Sequence, residues 1–319
     1  MVEEFGEERV AVRLYHTPNF TGIKKKVVPK RLNEGWGLQH MKLYGVDDEI
    51  IMSGYVVVCG YNRIGHQIIL TVISANLSAD YFTNRQDRYH VFSSRKLTDY
   101  FERIHNAVCS ISYRVLPGPS DTGGYTLDWP ESNPAPMPIE EPEQFRIAAT
   151  SLLGPLIRPS ASGGERAPKQ ATTVVYPLAQ FTPLLRPLDI STEHPALSAV
   201  LRTLAEGHAA GSNWVFTAGY FNIHPQLKAL LLKSAAAKGT VVTAAPEANG
   251  FYGSKGVSSM LPPAYTLLAR RFLDDVIKHG KQDQIELREW KRGVHGQGPD
   301  AWTYHAKGLR IPRSVGGQG

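Results

Sequence analysis

The sequence is poor in cysteine and contains no long apolar run. Two cysteines, Cys59 and Cys109, are too few for a disulfide framework or a four-cysteine zinc site, so both are predicted to be reduced thiols. A spanning helix needs about 18 or more apolar residues, and the most apolar run, Gln67–Ile73, is too short. The first nine residues carry four glutamates and one arginine, whereas signal segments start basic and transit segments avoid acids. These absences argue against a membrane-spanning or disulfide-stabilised protein and against a recognisable targeting segment here.

The composition is that of a folded globular protein with a basic surplus. Of the 319 residues, 42% are apolar and 20% are charged, which is enough apolar material for about two ordinary domains. The net charge is +6 and the isoelectric point is about 9.2. A surplus of positive charge can favour binding to nucleic acid, to an anionic membrane or to a phosphorylated substrate, and charge alone does not distinguish these partners.

The pattern along the chain predicts an α/β protein. Residues 117–143 contain seven prolines among polar residues, and this composition predicts a linker that buries no core. From residue 172 onwards, apolar strand-like runs alternate with helix-like periods, an order typical of layered α/β domains. The predicted strands are 8–15, 49–52, 111–116, 172–176, 214–220, 239–244, 285–290 and 302–311, and the predicted helices are 95–105, 145–156, 194–205, 225–237 and 262–278.

One short motif carries possible phosphoryl chemistry. His40, Lys42 and Asp47 follow the pattern H-x-K-x4-D, and on an extended strand residues two apart share a face. An imidazole can attack phosphorus, an ammonium can hold the phosphoryl oxygens, and a carboxylate can support the charged imidazole. Taken alone, the spacing is a weak signal and favours a histidine and a lysine on an exposed strand edge. A second H-x-K unit, His305 and Lys307, raises the odds of a duplicated half-site in which one histidine is the nucleophile and the other the acid and base.

Longer stretches support a specific resemblance. The two H-x-K units resemble the paired H-x-K-x4-D motifs of the phospholipase D superfamily, and within it the chain is similar to the eukaryotic mitochondrial phosphatidylglycerophosphate synthases. The similar stretches are 14–54, 75–89, 214–232, 243–256 and 302–309.

The resemblance implies a fold, a reaction and a set of site residues. The fold would be a phospholipase-D-like layered sandwich of two similar halves with the active site between them. The reaction would transfer the phosphatidyl group of CDP-diacylglycerol to glycerol 3-phosphate through a phosphohistidine, without metal or cofactor, on an anionic membrane surface of the mitochondrial inner membrane and with no nucleic acid partner. The resemblance makes His40 the nucleophile, Lys42 a phosphate ligand, Asp47 its support and His305 with Lys307 the second unit. Ser53 and Asn76 would belong to a serine-glycine-x-asparagine element that binds phosphate.

Two departures from the resemblance predict an altered polypeptide. Residues 55–74 interrupt the phosphate-binding element, and their codons can carry intron-like signals, so we interpret them as a retained intron; a tolerated loop insertion is the alternative. No aspartate follows Lys307, and little precedes Leu14. We therefore expect a truncated copy, with residues 1–115 forming the end of the first half, 116–170 a linker and short helix, and 171–319 the second half.

Two groups of polar residues have both a functional and a purely structural interpretation. Glu247, Asn249 and Lys255 follow a predicted strand and are predicted to bind substrate, or else to form only a polar turn. The basic cluster Lys24–Arg31 suits anionic lipid or substrate phosphates, or is simply solvated. The alternative functions are a phospholipase-D-type phosphodiesterase that uses water, and an inactive fragment that binds anionic lipid.

Overall fold

The structure is a computed structural model that describes residues 2–52, 56–62, 65–71, 76, 78–158, 173–206 and 211–312. Its α-helices are α1 (Val2–Phe5), α2 (Gly22–Val27), α3 (Ala79–Thr83), α4 (Arg95–Ser110), α5 (Pro142–Ile157), α6 (Glu193–Thr203), α7 (Pro225–Leu232) and α8 (Leu261–Lys278).

The strands of the described residues form four sheets. They are β1 (Arg13–Leu14), β2 (Leu43–Val46), β3 (Glu49–Met52), β4 (Val56–Asn62), β5 (Gly65–Thr71), β6 (Arg85–Gln86), β7 (His90–Ser93), β8 (Tyr113–Pro117), β9 (Tyr125–Asp128), β10 (Thr173–Pro177), β11 (Asn213–Ala218), β12 (Lys238–Ala244), β13 (Ile285–Trp290), β14 (Thr303–Tyr304) and β15 (Lys307–Pro312).

A seven-stranded sheet forms the largest layer. Its order is β10-β4-β5-β15-β11-β12-β13, with β11, β12 and β13 parallel and the remaining pairs antiparallel. The β4–β5 hairpin comes from the segment interpreted above as a retained intron, and it joins β10 to β15. The splicing interpretation stays a prediction, but in this structure the segment supplies two interior strands of the sheet.

The helices α6, α7 and α8 enclose the core of this sheet. Trp214 and Val241 are buried on the strands, and they belong to one cluster with Leu231, Phe272 and Val276 from the helices. Each of these five side chains is at most 2% exposed, which is the apolar burial expected to stabilise a layered α/β unit. Gly239 is required here because a β-carbon would collide with the Trp214 ring.

The first part of the chain packs two small sheets against two long helices. Helix α4 begins at Ser94, whose hydroxyl caps Leu97 N at 3.4 Å, and its face Phe101, Ile104 and Val108 is buried. The sheet β2-β3-β7 contributes buried residues that cluster with Phe101. In the sheet β1-β8-β9, Tyr113 contacts Trp129 edge-on, and Trp129 in turn contacts the fully buried Phe145 of α5.

Most of the elements expected from the pattern are confirmed, and the α/β class is correct. Three expectations on local structure are wrong: the first strand is limited to Arg13–Leu14, α7 ends at Leu232, and the strand predicted over 302–311 is divided into β14 and β15. The proline-rich stretch also contributes to a core, because Ala135 is 5% exposed and accepts a hydrogen bond from Trp129 Nε1 at 3.1 Å. A tryptophan and an alanine among the prolines were enough to pack against α5. The domain boundaries at 115 and 170 stay a prediction.

Among the described residues, none of the helices has the length and apolarity needed to cross a bilayer. The same residues contain no cluster of three or more histidine, cysteine or acidic side chains arranged to hold a metal ion. Cys109 is a free thiol, as expected, while the side chain of Cys59 lies outside the described residues.

Candidate active site

The first H-x-K unit lies in an extended segment that leads into β2. His40 is exposed, Lys42 is half-buried, and the lysine Nζ donates to the His40 carbonyl oxygen at 3.0 Å. The two side chains lie before the strand rather than on it. A lysine anchored on the backbone of the histidine two residues earlier keeps its ammonium close to that imidazole.

The second unit lies between β14 and β15. The β14 strand pairs in parallel with β6, and His305 N donates to Gln86 O at 2.8 Å. Lys307 begins β15, which pairs with β11 in the interior of the seven-stranded sheet. His305 is 7% exposed, so the histidine of this unit is buried, whereas that of the first unit is exposed.

The fold brings the two units together. His40, Lys42 and Lys307 line the same cavity. Although the His40 residue as a whole is exposed, partial desolvation of its imidazole lowers its pKa to about 4, and the charges of Lys42, Lys307 and His305 lower it further. Lys307 Nζ also lies 3.2 Å from both ring nitrogens of His305, and this contact connects the second unit to the cavity. The convergence predicted from the duplicated motif is therefore present in the structure.

Asp87 holds the buried histidine. Its Oδ2 lies 2.8 Å from His305 Nδ1, and its side chain is fully buried. The other carboxylate oxygen accepts from Arg88 N at 2.8 Å. A carboxylate in this position favours the tautomer protonated on Nδ1 and stabilises an imidazolium when one forms. In that tautomer Nε2 carries the lone pair.

Cations and aromatic rings surround this pair. Lys307 Nζ lies 3.2 Å from each ring nitrogen of His305. The rings of Tyr81 and Tyr220 meet the imidazole edge-on, with centroids 5.4 and 5.6 Å away. The Arg85 guanidinium lies 4.4 Å from the centroid of Tyr81, and its Nε donates to Thr303 Oγ1 at 3.0 Å. The aromatic rings limit water around His305, which strengthens its interaction with Asp87.

The lowered pKa values suit phosphoryl chemistry. Burial lowers the pKa of Lys42 to about 8, and burial is also the main cause that lowers the pKa of Lys307 to about 8. Burial lowers the pKa of His305 as well, against the opposing effect of Asp87. At neutral pH both lysines are therefore still largely cationic while His40 is neutral. A neutral imidazole beside two ammonium groups can act as a nucleophile towards an anionic phosphorus centre.

The other residues predicted around the first unit do not reach it in this geometry. Asp47 lies beyond the far end of β2, exposed in the turn before β3, with a left-handed φ of 52°. It is therefore separated from His40 by the length of that strand, and the carboxylate that contacts an imidazole here is Asp87. Asn76 is exposed, and Ser53 lies outside the described residues, so the phosphate-binding element stays a prediction.

The loop after β12 lies beside the second unit, but its polar side chains have structural partners. Ala245 and Ala248 pack in one cluster with Tyr304 and Ala306, the neighbours of His305. Glu247 accepts from Lys291 Nζ at 2.7 Å. Asn249 is 2% exposed, and its Oδ1 accepts from Phe251 N at 2.9 Å. Lys255 is exposed before a 3-10 turn. None of the three residues predicted to bind substrate lines the cavity described above, and their role stays a prediction.

Sequence reasoning missed the contact between Asp87 and His305. Residues 84–88 include three charged side chains, Arg85, Asp87 and Arg88. Arg85 lies 3.7 Å from the exposed Asp80. Asp87 directly follows β6, and β6 pairs with β14 next to the second H-x-K unit. The sequence alone does not show this pairing, because the two strands are far apart in the chain.

Comparisons with known proteins give a consistent result. The chain is 45% identical over 313 residues to the CDP-diacylglycerol–glycerol-3-phosphate 3-phosphatidyltransferase of Saccharomyces pastorianus, covering 98% of this chain and 55% of that protein. It is 45% identical over 311 residues to the Saccharomyces cerevisiae protein of the same name, covering 97% of this chain and 55% of the relative. The human protein of that name, designated mitochondrial, is 32% identical over 323 residues, covering 95% of this chain and 51% of the relative.

No protein-family model matches the chain. Among solved structures, phosphatidylserine synthase from Haemophilus influenzae aligns with a TM-score of 0.49 and 17% identity, covering 86% of this chain and 52% of that one. The chain spans about half the length of the curated relatives it matches. Over nearly its whole length, the chain is thus a homologue of proteins named CDP-diacylglycerol–glycerol-3-phosphate 3-phosphatidyltransferase.

Proposed function

We propose that the protein transfers the phosphatidyl group of CDP-diacylglycerol to glycerol 3-phosphate, which yields phosphatidylglycerophosphate and CMP. The observation that carries this proposal is the convergence of His40, Lys42 and Lys307 on one cavity, with His305 beside them. The names of the homologous proteins supply the substrates. The two lysines suit a reaction in which both the donor and the acceptor are phosphate esters.

The chemistry proceeds as two displacements. His40 attacks the lipid-side phosphorus of CDP-diacylglycerol, a nitrogen–phosphorus bond forms, and the bond from phosphorus to the CMP oxygen breaks. The imidazolium of His305 gives its proton to the departing CMP. Neutral His305 then accepts the proton of the glycerol 3-phosphate hydroxyl, whose oxygen attacks the phosphohistidine and releases His40.

Each residue has a physical reason for its step. Lys42 and Lys307 stabilise the negative charge that grows on the phosphoryl oxygens in the transition state. Asp87 favours the imidazolium of His305 through its 2.8 Å contact with Nδ1. The low pKa of His40, about 4, keeps its attacking nitrogen unprotonated at neutral pH.

The test is the transfer of label from glycerol 3-phosphate into lipid. The purified chain is mixed with CDP-diacylglycerol and radiolabelled glycerol 3-phosphate, and organic-phase label is counted together with released CMP. The proposal predicts equal amounts of labelled lipid and CMP, and no transfer by the His40→Ala variant. CMP and phosphatidic acid without labelled lipid would instead support a phosphodiesterase that uses water. Lipid binding without any turnover would support an inactive fragment.

We further propose that the protein acts at an anionic membrane surface and that residues 22–38 contact this surface. Its side chains Ile23, Val27 and Leu32 are 78%, 68% and 55% exposed. Lys24, Lys25 and Lys26 follow one another in α2. Apolar side chains beside lysines suit the boundary between anionic headgroups and acyl chains. We propose a peripheral position on the mitochondrial inner membrane, and the names of mammalian homologues support the mitochondrial part of this proposal.

A further inference from the structure

A large apolar cavity adjoins the candidate catalytic residues. Its volume is about 640 Å³, which lies within the range of about 300–1,000 Å³ typical of small-molecule sites. Met52, Phe101, Ile104 and Val108 form part of its wall, and each is at most 7% exposed. These side chains come from β3 and from the inner face of α4. This part of the cavity wall is therefore made by the buried core of the first part of the chain.

The ionisable groups of the wall include three residues at which the reaction is proposed to occur, Lys42, Lys307 and His40. The wall also contains one carboxylate, Glu193. The nucleotide, the phosphates and the glycerol of the two substrates are polar, and they do not need an apolar wall of this size. The apolar part of the donor is its diacylglycerol. If the reacting phosphorus lies between the two lysines, the acyl chains attached to it are the part of the donor that matches the apolar remainder of the wall.

We propose that this cavity binds an acyl chain of the lipid donor, and thereby selects a diacylglycerol-linked nucleotide over a water-soluble one. The proposal rests on the proposed function and names the donor subsite of the same site. Each methylene transferred from water to an apolar wall stabilises the complex by about 0.8 kcal/mol, or about fourfold in affinity. Two enclosed methylenes therefore correspond to about 15-fold.

The test compares two short-chain donors that remain monomeric in water. Dihexanoyl and dioctanoyl CDP-diacylglycerol differ by two methylenes in each chain. Their dissociation constants for the 319-residue chain are measured by calorimetry below the critical micelle concentrations. We expect the octanoyl donor to bind about 15-fold more tightly, since one chain is enclosed.

Two variants, each of which replaces one alanine by phenylalanine, test whether the cavity causes this preference for the longer acyl chains. Ala179 lines the cavity, and its backbone is anchored because its N–H donates to Thr192 Oγ1 at 3.0 Å. Ala179→Phe should fill part of the cavity and reduce the preference to about twofold or less. Ala148 is also half-buried but lies on α5 outside the cavity wall. Ala148→Phe should keep the wild-type preference.

Two substitutions at exposed leucines provide a second test if the Ala179→Phe variant does not fold. Leu38 lines the cavity and is 55% exposed, while Leu188 is 72% exposed and does not line it. Both can be changed to glutamine at little cost to folding. Leu38→Gln should lower the preference for the octanoyl donor at least threefold, and Leu188→Gln should leave it unchanged.

Several results would overturn the acyl-chain proposal. They are a wild-type preference below twofold, no binding of either donor at millimolar concentration, and an equal preference in the cavity and control variants. Transfer to glycerol 3-phosphate is measured separately. Binding that depends on acyl-chain length without any transfer would contradict the proposed function and support the assignment of the cavity. Transfer by a protein whose donor affinity does not depend on acyl-chain length would support the proposed function and contradict the assignment of the cavity.

Discussion

Removing the negative charge of Asp87 should slow the reaction without unfolding the protein. Asp87→Asn keeps the shape of the side chain but replaces a carboxylate that lies 2.8 Å from His305 Nδ1. A hydrogen bond to a charged group contributes about 1.5–3 kcal/mol, and each 1.36 kcal/mol is a factor of ten in rate. We therefore expect kcat to fall by about 10- to 150-fold.

The pH profile separates this chemical role from a structural one. The carboxylate raises the pKa of His305 against the effect of burial, so its loss should lower that pKa further. The part of the kcat profile that requires protonated His305 should then move to lower pH in Asp87→Asn. The assay is transfer of labelled glycerol 3-phosphate between pH 5.5 and 9, with Tm measured for each variant.

Asp80 supplies the matched control for this experiment. Its side chain is 61% exposed and makes only a 3.7 Å ion pair with Arg85, so Asp80→Asn should change kcat less than twofold. The reasoning would be refuted if Asp87→Asn kept more than half of the wild-type kcat and an unshifted profile while His305→Ala was inactive. In that case the contact between Asp87 and His305 would have no part in the reaction.

Three further predictions test other parts of the site. Because Lys42 and Lys307 have pKa values of about 8 and lose their charge above them, kcat/KM should fall as pH rises through 8. In Lys42→Arg the fall should be shallower, since one group titrates instead of two; an equally steep fall would contradict this. Replacing lysines 24–26 by glutamine should weaken binding to phosphatidylglycerol vesicles by roughly 100-fold at about 1 kcal/mol for each lysine, measured by sedimentation, while binding to neutral vesicles stays the same. Sequencing of mature transcripts should show messages that lack the codons of residues 55–74, and finding the segment in every message would refute the splicing interpretation.

The relation between the two charged motifs could be predicted from the sequence, while the partner of the buried histidine could not. His40 with Lys42 and His305 with Lys307 repeat one pattern, and repetition of a reactive unit is a local property that can be read along the chain. The identity of the supporting carboxylate depends on the parallel pairing of β6 with β14. Asp47 fitted the motif by its spacing, but β2 carries it away from the imidazole that it was expected to support.

The same contrast holds for burial. The apolar periods of α4 and α8 predicted helices with one buried face, because helical spacing follows directly from residue order. Nothing in the proline-rich composition of residues 117–143 indicated that Trp129 would donate to Ala135 O and pack near α5. Composition describes an average over a segment, whereas a single aromatic side chain can attach that segment to a core.

By itself, the sequence determined the α/β order of elements, the reactive residue types and the positive charge available for anionic partners. These follow from local periodicity and from the chemistry of individual side chains. Only the tertiary structure decided which groups act on one another: the Asp87–His305 pair, the common cavity of His40 and Lys307, and the apolar wall beside them. The physical reason is that burial and charge interactions depend on distances in space, and those distances are set by strand pairings between residues far apart in the chain.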